Sequence, residues 1–232
     1  MTNAANIILT GHAAEIFNNV SSTNALSTLA ANASTGMLSL QKGQVLATAI
    51  NLSNAGKLTV GATSGLNVGG SYTQTTETTT VDGTITAPGG MTLQKGSLVG
   101  QGTPAASLTS SAIVTAGDTK PGKLSPSAYT QNPTGILNIA IGGLTIGTQY
   151  SQLVVANGAS LNGTLNVKLI NGFVPAIGNT FTILTGSAVT GMVRTVKGLS
   201  INSGEHFAVN YNPTNVMLAV SARLGSLFAA SC

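Results

Sequence analysis

Residues 150–184 alternate. In YSQLVVANGASLNGTLNVKLINGFVPAIGNTFTIL, Leu161, Gly163, Leu165, Val167 and Leu169 take one parity, and Asn162, Thr164, Asn166 and Lys168 take the other. A period of two sends successive side chains to opposite faces of a pleat, so it demands half-buried strands. Asn171-Gly172 and Gly178-Asn179 interrupt the pattern with residues that accept positive φ, and they mark turns. Looser copies of this unit run from Gly36 to Val220. Strands are predicted at 37–40, 45–52, 57–61, 65–70, 136–141, 181–184, 206–211 and 216–220.

Two tetrapeptide-scale echoes bear on how such strands are arranged. Leu40-Gln41-Lys42-Gly43 returns as Leu93-Gln94-Lys95-Gly96, and Tyr72-Thr73-Gln74 returns as Tyr129-Thr130-Gln131. The offsets differ, which fits an imperfect repeat of roughly 18–22 residues with insertions, the range in which solenoids occur. A hairpin sandwich also has short, evenly spaced strands and is the alternative architecture. Between residues 99 and 133 the alternation weakens. Pro104, Pro121, Pro126 and Pro133 mark corners there, residues 108–116 read as one interrupted strand, and 117–122 read as a tight loop.

Charge separates this chain from most cytosolic enzymes. Lys, Arg, Asp and Glu make up 6% of it, whereas 42% is hydrophobic, so the polar share comes from Thr, Ser, Asn and 29 glycines. The net charge of +4 is spread over nine cations that form no run, with two arginines and no tryptophan. Nucleic-acid binding, which needs clustered cations and stacking aromatics, is not expected. Cys232 is the single cysteine and has no partner for a disulfide. Met1 to Thr10 lacks the basic start and apolar run of a signal peptide, and no segment has the ~20 apolar residues of a membrane-spanning helix. The composition suits an exported structural protein, so the chain reads as a monomeric fragment of something longer.

Four segments follow. Residues 1–35 are expected to be irregular, with short helical turns at 13–17 and 25–31 broken by Asn18, Asn19, Ser21, Ser22 and Asn24. Residues 36–143 are expected to form β-helix rungs, 144–222 the C-terminal rungs and a cap, and 223–232 an apolar tail.

The order of motifs carries a family resemblance. Gly117-Asp118 and Pro121-Gly122 precede Tyr129-Thr130-Gln131 and an alternating strand at 137–141. Gln149-Tyr150-Ser151-Gln152-Leu153, Asn157 to Leu165, and Gly172-Phe173-Val174-Pro175 leading to Phe181-Thr182-Ile183-Leu184 then follow. Over roughly 115–220 this resembles the C-terminal part of the passenger domain of bacterial autotransporter-like surface proteins. Two departures stand out. Ser151 replaces an aspartate common after the tyrosine, and Met192-Val193-Arg194 replaces a Gly-Thr/Ser-Phe pattern. The resemblance implies an all-β, right-handed parallel β-helix with a C-terminal capping segment, in an extracellular or cell-surface protein. Roughly nine rungs would give a rod of about 40–45 Å, with Asn and Thr ladders running up the stack.

The residues offer no catalytic set, no metal site and no cofactor site. Glu15, Glu77, Asp82, Asp118 and Glu205 are all the carboxylates, too few for a calcium repeat. Glu77 and Asp82 are the one pair close in sequence, and they sit in Thr-rich turns. His12, three residues from Glu15, lacks the further ligands zinc requires, and no Gly-x-Ser-x-Gly elbow accompanies His206. Tyr72, Tyr129 and Tyr150 are the candidate ligand contacts, able to stack on sugars if aligned on one face. The expected function is a non-enzymatic surface stalk or adhesin-like module whose partners are glycans or other surface proteins. The alternatives are a lyase-type carbohydrate-active β-helix and a glycan-binding module.

Overall fold

The computed structural model describes residues 1–20 and 22–223; the expectations for Ser21 and for the tail ending in Cys232 fall outside these residues, Arg223 excepted. The chain is a parallel β-helix. Two faces are nine-stranded parallel sheets, the first running from Thr2–Asn3 to Ala188–Gly191 and the second from Asn6–Thr10 to Thr195–Lys197. Nine strands at the usual inter-strand spacing make a stack about 38 Å long. No α-helix occurs among the described residues.

From the second coil to the eighth, each visits the first face, the second and then a third. The third face is divided. Its early part is a four-stranded sheet ending at Thr103–Ala105, where Pro104, lacking an N–H, occupies the outermost strand. Its later part begins at Lys123–Leu124 and continues through Gln152–Val154 to Thr180–Thr185. There the direction reverses. Asn215–Ala222 pairs antiparallel with Thr180–Thr185, and Glu205–Asn212 pairs antiparallel with Asn215–Ala222, which forms the expected cap. The ring of Phe181 lies under this cap, edge-on to Tyr150, Phe173 and Phe207 at 5.3, 6.4 and 5.9 Å.

The alternating run at 161–169 turns a corner. Gly158–Leu161 lies on the first face and Thr164–Leu169 on the second, and Gly163 makes the bend with φ +64°. Residues 108–116 likewise divide into Ser107–Ser110 and Ile113–Ala116 on different faces. Leucines dominate the interior, with valine and isoleucine beside them.

The N-terminal segment departs from the irregular stretch that its composition predicts. Thr2–Asn3 and Asn6–Thr10 pair with Ala31–Asn32 and Met37–Gln41 as full members of the stack. Only the intervening residues leave it, as a small hairpin of Phe17–Asn18 with Thr23–Asn24 and a 3-10 turn at Ala25–Thr28 capped by the Asn24 side chain. Residues 13–17 contain no helical turn. Leu26 and Leu29, following the hairpin, are fully buried and close the bottom of the core.

A buried amide ladder joins the first four coils. Asn3 Nδ2 donates to Asn32 Oδ1 (2.8 Å), Asn32 Nδ2 to Asn54 Oδ1 (2.7 Å), and Asn54 Nδ2 to Gln74 Oε1 (2.9 Å). Successive members are 29, 22 and 20 residues apart and directly in register. Inside a low-dielectric core such bonds are strong, and an amide out of register would be left unpaired, so the ladder fixes how coils stack. Gly56 makes room for it: a Cβ there would lie 2.1 Å from the Gly36 carbonyl oxygen and 2.3 Å from that of Ala33.

Candidate functional site

The tyrosines proposed as ligand contacts do not form a surface. Tyr72 and Tyr129 point into the core at 0% and 1% exposure, and Tyr150 is buried against Phe181. For Tyr72 and Tyr129 the physical reason is parity, since each takes an inward position in a strand whose neighbours face out; Tyr150 sits at the end of a corner loop and is held in by the Phe181 ring. Burial raises the phenol pKa of Tyr72 and Tyr129 well above its ordinary value. These residues are core, not binding groups.

Glu77 and Asp82 flank the strand Thr78–Val81, and five residues of strand rise separate them by about 16 Å. The Asp82 side chain instead accepts from Gln101 N–H at 3.3 Å. His12 and Glu15 are both exposed, and no group of three metal-ligating side chains forms among the described residues.

The structure assembles a different set. The outward column of the second face reads Ser39, Thr59, Thr80, Val99, Thr115, Asn138, Asn166, Lys197, one residue per coil. Toward its later end the column is hydrogen-bonded: Asn166 Nδ2 donates to Asn138 Oδ1 (3.0 Å), and Asn138 Nδ2 to Thr115 Oγ1 (3.1 Å). This run of polar groups floors a groove of about 300 Å³.

Corner loops build the groove's wall. Between the second and third faces, early coils turn in as little as residues 82–83. Later coils leave by 117–122, 142–151 and 170–179, and these loops rise from one corner, coil above coil. Asp118 and Lys120 from the first loop, Ser151 from the second, and Ile170 from the third line the groove, with Lys168 projecting from the strand Thr164–Leu169. A second cavity of about 410 Å³ lies across the same first loop, lined by Asp82, Gln101, Asp118, Lys120 and Thr148.

Asn138, Asn166 and Lys168 are visible in the sequence as polar members of alternating strands. Their alignment with Thr115 is not, because the coils that separate them differ in length by their corner loops: 23 residues separate Thr115 from Asn138, and 28 separate Asn138 from Asn166. No protein-family model matches the chain, and no curated protein matches it.

Proposed function

We propose that this chain is a non-enzymatic β-solenoid of an extracellular or bacterial-surface protein, a rigid adhesin-like stalk that displays its corner loops. The observation that supports this most is the combination of two uninterrupted nine-stranded parallel sheets with loops that lengthen on one corner only. Ladders hydrogen-bonded at every coil resist bending, so loops carried on them keep a fixed spacing from one another. The outward column of the first face adds a polar coat without charge: Ser53, Thr73, Thr92, Thr109, Thr130, Ser160 and Thr190 stand one above the next. The likeness to autotransporter-like passenger domains points the same way.

Labelling intact cells of the source bacterium with antibodies against the folded chain, with and without external protease, tests this reading. Protease-sensitive labelling at the cell surface is expected. Signal confined to permeabilised cells overturns it. For the lyase alternative, unsaturated products absorbing in the ultraviolet would be the sign.

A further inference from the structure

All the net charge lies in the later half of the stack. Up to residue 117 the cations Lys42, Lys57 and Lys95 balance Glu15, Glu77 and Asp82. From 118 onward six cations (Lys120, Lys123, Lys168, Arg194, Lys197, Arg223) face two carboxylates (Asp118, Glu205), which leaves +4. The groove over Thr115, Asn138 and Asn166 belongs to that half.

Lys168 and Lys120 line the groove, and Lys197, one coil beyond the lining, continues its outward column. Lys197 lies directly beside Asn166, and Lys168 is two residues beyond Asn166 on the same outward side. From strand spacing and rise, the two lysine Cα atoms are about 8 Å apart. Both side chains are exposed, and their ladder neighbours Asn166 and Ala140 carry no charge. The floor beside them offers amide donors and acceptors at one coil per step, a repeat comparable with the advance of one pyranose along an extended chain. Asp118 is the one carboxylate in the groove, and it sits on the loop wall at the side shared with the second cavity.

We propose that this groove binds a linear anionic polysaccharide, with sugar hydroxyls on the Thr115–Asn138–Asn166 column and carboxylate or sulfate groups at Lys168 and Lys197. The proposal rests on the extracellular reading above, since such polymers lie outside the cell. The directed hydrogen bonds from Asn166 to Asn138 to Thr115 hold the amides in place before a ligand arrives, which reduces the ordering cost of binding. A neutral glycan would leave the two ammonium groups unused.

Affinity electrophoresis and calorimetry with polygalacturonate, chondroitin sulfate and neutral dextran test it. Binding to at least one anionic polymer and not to dextran is expected, and which polymer binds separates carboxylate from sulfate recognition. Lys168→Gln with Lys197→Gln should weaken that binding at least tenfold, and Asp118→Asn should strengthen it. Lys42→Gln with Lys57→Gln removes the same charge elsewhere and should change it less than twofold. Circular dichroism confirms that each variant folds. Equal weakening by the two double variants, retention on dextran, or retention on none of the polymers overturns the proposal. The labelling experiment is independent of these results, so a surface protein that binds none of them would sink the groove and leave the stalk.

Discussion

Tyr72 and Tyr129 occupy one register column of the first face, linked through Met91 and Leu108, yet only Tyr72 has a partner for its hydroxyl. Tyr72 Oη donates to Gln74 Oε1 at 2.8 Å and lies against Thr79 Oγ1. At the matching place three coils on, Leu137 stands where Thr79 does, and both Tyr129 Oη and Gln131 Oε1 are buried without a partner. The same tripeptide is satisfied in one coil and unsatisfied in another.

The two phenylalanine substitutions should therefore differ in sign. Tyr72→Phe breaks a satisfied cluster and should cost about 1–2 kcal/mol, whereas Tyr129→Phe removes an unpaired buried hydroxyl and should be neutral or stabilising by up to about 1 kcal/mol. Urea unfolding of the three proteins decides it. Equal losses would show that Tyr129 does have a partner.

High pH should weaken the fold through the same two rings. Burial holds both phenols neutral beyond their ordinary value, while the unfolded chain ionises near pH 10. The unfolded state then binds fewer protons than the folded one, so stability falls as pH rises past about 10, by up to about 1.4 kcal/mol per pH unit per tyrosine. Below that pH the contribution is fully present. Unfolding midpoints of the wild type and of Tyr72→Phe with Tyr129→Phe, followed from pH 9 to 12, should diverge, with the variant flatter.

Gly56 and Gly172 make a contrasting pair. A Cβ on Gly56 meets the carbonyl oxygens of Ala33 and Gly36, both in one turn of the adjacent coil, so Gly56→Ala should cost more than about 3 kcal/mol or prevent folding. Gly172 has open space around it and a φ of +67°, so Gly172→Ala should cost only the left-handed penalty of about 1–2 kcal/mol. Thermal melts separate these outcomes.

Asn54→Ala should cost about 2–4 kcal/mol, because it removes the Asn32 acceptor and the Gln74 donor together. Side-chain amide protons of Asn32 and Asn54 should exchange among the slowest in the molecule by NMR. Rapid exchange would mean that water reaches the ladder.

Phe181→Ala should cost about 3–5 kcal/mol and expose the cap first, since this ring meets three others beneath the antiparallel strands. Limited proteolysis should then cut within 186–215 before any earlier coil. Uniform cutting would argue that cap and coils unfold as one.

Strand periodicity and glycine turns were enough to read an all-β chain of short strands, because alternation survives whatever the pairing partner is; for the same reason they left a solenoid and a hairpin sandwich both open, and only the repeat spacing and the family resemblance favoured the solenoid. The two echoes differ in what they mark. Tyr72-Thr73-Gln74 and Tyr129-Thr130-Gln131 do occupy equivalent places. Leu40 to Gly43 lies at the end of a second-face strand, whereas Leu93 to Gly96 leaves a first-face strand, so that echo has no structural meaning. The first coil was hidden because Asn3 and Asn6–Thr10 are separated from their partners by an excursion with turn chemistry. The groove was hidden for a related reason: its column depends on register across loops of unequal length, and no local pattern encodes that.

The reversal at Asn215–Ala222 gives the molecule an orientation. Glu205–Asn212 and Asn215–Ala222 belong to no coil, and they cover the open edge of Thr180–Thr185 on the third face. Coils earlier than the one that carries Leu137 and Tyr150 contribute nothing to this packing and can be gained or lost without disturbing that terminus. Related molecules of different reach would then share one finish and vary in how far they extend.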